Sequence, residues 1–321
     1  MKAPRRVVVL GAGAIGAGLG GLLFAAGAPV TFVARRLHGE ALRRDGLDLR
    51  LPGGHRQLRV PTVPTLAAAQ VTPDDLVLVA VMAQDTAAAL DGLDPAVTVA
   101  SFQNGLTGVR EVARRGHPTL GAMVYVPAVR RSPGVVALHG DPVPGMVLVG
   151  RWPTGHHPWS IWLALKLSEA GVRADPVEDI ERWILAKLVT NLGGIVAALW
   201  DQRPPWILDA VEAEARAVFA AAGLDVPSVR ALVERVGPLD AAPVDGQPRI
   251  GGSTRHALRR GQRLETDHLN GEIVAWGQRL GVDTPVNAAL VELAHEATRE
   301  GLEPGSLAPD YLASLRPSAS V

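Results

Sequence analysis

A short β-branched run, Val7-Val8-Val9-Leu10, leads straight into Gly11-Ala12-Gly13-Ala14-Ile15-Gly16, and an Ala-, Gly- and Leu-rich stretch follows to Ala26. Strand, glycine turn and helix in that order constrain this chain more than any other feature it has. Gly11 permits the tight turn, Gly13 lets backbone approach a pyrophosphate, and Gly16 allows the helix to pack closely on the strand. The N–H groups that open the helix, from Ala14 and Ile15 onward, then face the phosphates. A glycine turn that binds nothing is the alternative, and the setting between strand and helix weighs against it.

The next strand, Pro29–Val33, runs into Ala34-Arg35-Arg36. A site that prefers NAD ends this strand in Asp or Glu, which holds the ribose hydroxyls. Two cations stand there instead and suit a 2′-phosphate, so the cofactor expected is NADP (as NADPH). A solvated arginine pair is the competing reading.

Further along, Leu76–Val81 and Val97–Phe102 read as strands that are apolar on both faces, as in a parallel sheet between helix layers. Val124–Val126, Val135–Leu138 and Met146–Val149 read as extra strands closing the first domain. Trp159–Ala170 reads as a helix and Val172–Ala174 as an edge strand. After about Asp179 only helices are expected: Asp179–Trp200, Ile207–Ala222, Val229–Val236, Thr254–Arg260, Glu265–Leu280 and Pro285–Glu300, the last opened by Thr284-Pro285. The fold class expected is α/β, with an N-terminal Rossmann-type dinucleotide-binding domain over residues 1–178 and an all-α substrate and catalytic domain over residues 179–321. From Pro309 a mobile tail is expected.

The length of 321 residues suits two domains. With 32 basic and 32 acidic residues there is no cationic surplus for nucleic acid. The absence of cysteine excludes disulfides and thiolate chemistry. The charged start, Met1 to Arg6, followed by an apolar run resembles a secretion signal, but a strand and a turn fit better. No stretch is long enough to span a membrane without Gly, Pro or charge. A cytoplasmic protein with no membrane or nucleic-acid partner is expected, and a homodimer is left open.

Two segments of the second half carry candidate chemistry. Asp179–Trp200 is apolar over most of its surface, yet Lys187 and Asn191 share one face, four residues apart. A lysine on such a helix needs a partner, a wet cavity or a lowered pKa, unless its stem snorkels to the surface. Ser253 follows Gly251-Gly252 and is expected to cap a short helix. Glu265 is expected to open the next helix on its apolar stripe, with Leu269, Ile273 and Trp276; a first-turn Glu serving the helix dipole is the alternative. His139, His256, His268 and His295 show no metal-ligand spacing, and no metal is expected.

These elements, taken in order, resemble the ketopantoate reductases (2-dehydropantoate 2-reductases) over nearly the whole chain. They are the glycine motif, Gln103-Asn104-Gly105, Trp183, Lys187-Leu188-Val189-Thr190-Asn191, Ser253, Glu265 and Asp267-His268-Leu269-Asn270-Gly271. The resemblance implies Lys187 as general acid for the reduced carbonyl and Glu265 as the residue that orders the site near ribose and substrate. It implies Asn104 between cofactor and substrate, and Asn191 and Ser253 on the substrate. Three positions depart from the family pattern. Met82 replaces a lysine near the cofactor, Ile195 an asparagine one turn past Asn191, and Ala257 an aspartate four residues after the serine. The expected activity is NADPH-dependent reduction of a 2-keto acid, with ketopantoate as leading substrate. The alternatives are another 2-keto acid, which Ile195 would favour, and an NADP-binding sensor without turnover.

Overall fold

The computed structural model describes residues 3–316. The chain forms two compact units. The first runs up to Ile184 and takes back Val233–Arg249; the second holds Leu185–Leu232 and the chain from Ile250.

An eight-stranded sheet centres the first unit, in the order Arg173–Pro176, Met146–Arg151, Thr119–Tyr125, Thr98–Ser101, Leu76–Val79, Val7–Leu10, Val30–Val33, Thr62–Val63. Six strands are parallel; Met146–Arg151 runs antiparallel to Thr119–Tyr125 and carries the edge strand Arg173–Pro176 with it. The central strands are buried from end to end because both faces are covered. Alternation sorts their side chains: Val7, Val9, Leu76 and Leu78 pack with Ala17, Leu19 and Leu163 on one face. Val8, Leu10, Val77 and Val79 pack with Leu90 and Val112 on the other.

The expected strand closures divide between two sheets. Thr119–Tyr125 and Met146–Arg151 extend the main sheet, whereas Ala128–Ser132 and Val135–Leu138 join the hairpin Leu47–Leu51/Gly54–Leu58 in a second, four-stranded sheet. The glycine-rich helix Ala14–Ala25 lies between the two sheets. A Cβ on Gly20 would stand 2.7 Å from Phe32 of the main sheet. On Gly18 it would stand 2.7 Å from Leu138, and on Gly21 2.6 Å from Leu47, both of the second sheet. Glycines occur on both faces because both faces pack at close range.

A single cut after residue 178 does not describe the chain's course. Val233–Arg249 returns to the first unit and adds a two-residue strand, Asp240–Ala241, antiparallel to Gly140–Asp141. Val244 is fully buried there, and Asp245 accepts from Arg50 at 2.8 Å and Arg131 at 2.9 Å. No composition signal marks this return, because it rests on partners over a hundred residues away.

Asp179–Trp200, which begins in the first unit and continues into the second, is not one helix. Ile180–Leu192 ends at a turn, and Gly194–Leu199 follows. The two glycines at the break admit close neighbours: a Cβ on Gly193 would meet Leu208 at 2.8 Å, and one on Gly194 the Thr254 hydroxyl at 2.8 Å. The break frees the Leu192 carbonyl, and buried Asn270 donates to it at 3.1 Å while also donating to Asn287 at 3.0 Å. Asn287 in turn donates to Glu214 at 2.7 Å. The Glu214 carboxylate accepts the Val286 and Asn287 N–H groups at 2.8 and 2.9 Å, and so caps Pro285–Glu300, while the Thr284 side chain does not. Taken as one run, Ile180–Leu199 is long and apolar enough to cross a membrane, but more than half of it is buried within the fold.

The chain just ahead of Pro309, where a mobile tail is expected, is tied down, and within the tail's described part Tyr311 packs on the same anchor. Leu307 N–H donates to Leu199 O at 3.0 Å, and Trp200 Nε1 donates to Ala308 O at 2.8 Å. Tyr311 meets the Trp200 ring edge-on at 6.4 Å. Residues 317–321, and Met1 and Lys2 of the charged start, lie outside the described residues.

Candidate active site

The sheet delivers four segments to neighbouring strand ends. Leu10 pairs with Val33 and with Val79, and Val79 pairs with Ser101. Gly11, Arg35, Met82 and Asn104 therefore all follow the carboxyl ends of adjacent parallel strands, where open α/β sheets bind ligands.

The glycine turn has the geometry its residues imply. Gly11 has φ +97, and a Cβ there would lie 2.7 Å from Val81 Cγ1. A Cβ on Gly16 would collide with the Gly11 carbonyl and lie 2.9 Å from Val9. At Gly13 the result is opposite: nothing lies within 4 Å of where a Cβ would stand. The helix begins after Gly13 with no side-chain cap and no acidic residue in its first turn. Its opening N–H groups thus lack a side-chain acceptor and border open space, as an anion site requires. Ala12 is buried, while Ala14 and Ile15 are half-buried.

Arg35 and Arg36 are exposed, and neither guanidinium makes an ion pair among the described residues. Arg36 has φ +57, a left-handed conformation that costs a non-glycine residue about 1–2 kcal/mol. Met82 is partly exposed and offers no charge.

Gln103 fastens the turn that presents Asn104. Its amide donates to Val81 O at 2.9 Å and to Thr86 Oγ1 at 2.7 Å, and its carbonyl accepts from Ser101 at 3.1 Å. Gly108 leaves room for that side chain, since a Cβ there would overlap the Gln103 carbonyl oxygen. Gly105 takes φ +71, and Asn104 itself is half-buried.

In the second unit Lys187 does not snorkel outward. Its ammonium donates to Asn191 Oδ1 at 2.7 Å and to Thr190 Oγ1 at 3.0 Å, and Thr190 bonds back to the Lys187 carbonyl at 2.8 Å. The lysine–asparagine pair expected from spacing is thus formed, and Thr190 joins it. One turn on, Ile195 is 1% exposed and Ala257 is also buried, so neither departure restores a polar group.

Ser253 and Glu265 sit differently from their expected positions. The cap position falls on Gly252, and Ser253 is the exposed first residue of the helix Ser253–Arg259. Thr254 of this helix meets Gly194, so the segment packs beside the break that follows Asn191. Glu265 does not open the long helix. It precedes a single 3-10 turn, Thr266–His268, and Leu269 (φ −117, ψ −84) breaks the line before Asn270–Leu280. Glu265 is half-buried on that connection. Among the described residues no group of three or more His, Asp or Glu side chains could hold a metal.

His38 carries no sequence signal, yet it reaches the glycine turn. It is buried, its Nε2 lies 2.6 Å from the Ala12 carbonyl oxygen, and its Nδ1 accepts from the Gly134 N–H at 2.9 Å.

The ketopantoate reductase PanE/ApbA family model matches residues 7–154, and its C-terminal counterpart matches residues 179–298. A 2-dehydropantoate 2-reductase of Archaeoglobus fulgidus is 31% identical over 307 residues, covering 90% of this chain and 96% of the relative. The chain belongs to the ketopantoate reductase family. Among solved structures, the PanE/ApbA family ketopantoate reductase of Ralstonia eutropha JMP134 superposes with TM-score 0.76 at 30% identity, over 92% of this chain and 99% of that one. A ternary structure of D-mandelate dehydrogenase with NADH and anilino(oxo)acetate shares the fold with TM-score 0.77 at 21% identity, over 92% of this chain and 99% of that one.

As a ketopantoate reductase family member the chain is an oxidoreductase acting on CH–OH groups. Members of this family reduce 2-keto acids. The residues at the glycine turn fit a dinucleotide cofactor. The uncapped helix start and the open volume at Gly13 admit a diphosphate, and no carboxylate among the first-turn residues opposes it.

Proposed function

We propose that this enzyme reduces ketopantoate to pantoate with NADPH, the step that feeds pantothenate and coenzyme A synthesis. The observation that carries the reading is the Lys187 ammonium, held at 2.7 Å from Asn191 within a mostly buried helix. A lysine bound in this way is positioned, and a positioned ammonium can do what carbonyl reduction requires.

The nicotinamide, when bound, supplies the hydride. The carbonyl oxygen then gains negative charge, which the Lys187 ammonium stabilises and to which it gives a proton. Thr190 and Asn191 hold the ammonium in one place through their oxygens, so little reorientation is needed during proton transfer. Asn191 and Ser253 bind the keto acid, Asn104 stands between the two reactants, and Glu265 orders the ribose and substrate. Gly11 to Gly16 hold the diphosphate. Arg35 and Arg36, which make no ion pair among the described residues, take the 2′-phosphate.

Replacement of a hydrogen-bonding asparagine by buried Ile195 favours a second reading, in which the preferred 2-keto acid has an apolar side chain in place of ketopantoate's hydroxyl. One panel separates the two: loss of reduced-nicotinamide absorbance with ketopantoate, its deoxy analogue and aryl keto acids, with NADPH and NADH in turn. Turnover of ketopantoate above the others with NADPH supports the first reading. A preference for the apolar keto acids replaces it with the second, and equal use of NADH refutes the cofactor assignment.

A further inference from the structure

His38 lies on the helix Arg36–Arg44, 26 residues from the glycine turn it touches. The Gly134 N–H can only donate, so Nδ1 must accept, and the ring is neutral with its proton on Nε2. That proton is donated to the Ala12 carbonyl at 2.6 Å. The peptide joining Ala12 to Gly13 therefore has both polar groups committed, because the Gly13 N–H donates to Gly11 O at 2.8 Å. Its carbonyl is directed at a buried ring and not into the open volume at Gly13. If this peptide rotated freely, a carbonyl oxygen could face the diphosphate and repel it.

Resting on the dinucleotide reading of the glycine turn, we propose that His38 is a positioning residue for the cofactor: its neutral ring clamps the Ala12 carbonyl, and protonation of the ring releases the clamp and weakens dinucleotide binding. A second ring proton would place Nδ1–H against the Gly134 N–H, two donors face to face, so the bond cannot survive. Burial is the largest influence on the ring and opposes its charge; the Ala12 carbonyl acts the other way, and Arg130 on the strand Ala128–Ser132 adds to the effect of burial. Other charged side chains on the ring's own segment and on the strands packed near it include Arg35, Arg36, Glu40, Arg43, Asp48 and Arg131. The ring thus stays neutral near pH 7 and gains its proton only on the acid side of an ordinary histidine.

The test measures dissociation constants for NADPH and NADH against pH, by tryptophan fluorescence or calorimetry, with melting temperatures in parallel. NADH is included because a 2′-phosphate itself titrates near about pH 6. His38→Gln keeps an N–H able to reach Ala12 but loses the titrating ring; His38→Asn keeps an acceptor for Gly134 but does not reach Ala12. The wild type is expected to bind both dinucleotides up to roughly tenfold more weakly as pH falls from about 7 to 5. His38→Gln should bind within about threefold of wild type at neutral pH and lose the acid limb for NADH, whereas His38→Asn should lose roughly tenfold at neutral pH. An unchanged acid limb in His38→Gln overturns the proposal. So does wild-type affinity in a folded His38→Asn, or a fall in melting temperature with no change in affinity. Failure of the wild type to bind either dinucleotide at any pH would instead overturn the cofactor reading, and this proposal with it.

Discussion

Replacing Lys187 by alanine separates a catalytic lysine from a structural one, because the two roles predict effects of different size on different quantities. Among its contacts the ammonium donates to half-buried Asn191 at 2.7 Å and half-buried Thr190 at 3.0 Å. Water can reach both oxygens once the side chain is removed, so losing these bonds costs about 0.5–1.5 kcal/mol, less the small gain in helix propensity of alanine over lysine. The expected fall in melting temperature is a few degrees. If the ammonium is the general acid, kcat should fall on the order of 10²–10⁴-fold, equivalent to roughly 3–5 kcal/mol of transition-state stabilisation. Lys187→Gln refines the comparison: its amide can still donate to Asn191 but has no proton to give, so stability should recover while kcat stays low. The assay is kcat at saturating keto acid, with NADPH affinity measured separately and expected to change little, since the glycine turn belongs to the other unit. A kcat within a few-fold of wild type in both variants would refute the reasoning and leave Glu265 as the next candidate.

Three further outcomes are expected. Neutralising Arg35 and Arg36 together should narrow the gap between NADPH and NADH affinity by about 1–3 kcal/mol, as measured by paired titrations; an unchanged gap would show that the phosphate binds elsewhere. Ile195→Asn should raise the preference for ketopantoate over its deoxy analogue by about tenfold, at a cost of about 1–3 kcal/mol for placing an amide at a position 1% exposed; competition assays and chemical denaturation read the two effects. His38, His117, His139 and His157 are all held below the ordinary histidine pKa, chiefly by burial, so the unfolded chain takes up protons first as pH falls. Their contribution to stability is complete above about pH 6.5 and is lost as pH drops through the lowered values, so the melting temperature should decline across that window even with NADH absent, and a flat profile would contradict it.

The parts of the fold that were legible in the sequence are those whose causes are local. Gly11 needs a positive φ and Gly16 a close approach within a few residues of each other, so strand, turn and helix appear as one pattern. The pairing of Lys187 with Asn191 follows from helical spacing alone. The second sheet was not legible for the opposite reason. Leu47, Leu49 and Leu51 do alternate with polar residues, but the parallel partner that gives them a sheet, Val135–Leu138, lies far along the chain. The turn at Gly193 depends on Leu208 and Thr254, and without those neighbours a glycine pair in an apolar run reads as helix. The hydrophobic period that runs through Glu265 continues across Leu269 even where the backbone does not, so the pattern does not show the break. A single histidine has no pattern, and what distinguishes His38 is what it touches.

The break at Gly193 also bears on how such an enzyme could change substrate without losing its acid. Lys187, Thr190 and Asn191 lie on Ile180–Leu192, whereas Ile195, where the family pattern has asparagine, lies on the separate helix Gly194–Leu199. In a continuous helix the two positions would share one rigid rod, and a change in packing at residue 195 would be felt one turn back at Asn191. Here the end of the first helix is held by Asn270 at the Leu192 carbonyl, and Asn270 is anchored to Asn287 and through it to Glu214, with none of these groups drawn from the second helix. The second helix packs instead against the Ser253 segment through Gly194 and Thr254, and Arg255 ties the two with bonds to Ala197 O and Asp201. Asn270 therefore holds the end of the helix that carries Lys187 independently of the helix that carries Ile195. Under the proposed roles, the absence of an asparagine at 195 would alter the keto acid preferred while the Lys187 ammonium keeps its partners on its own helix.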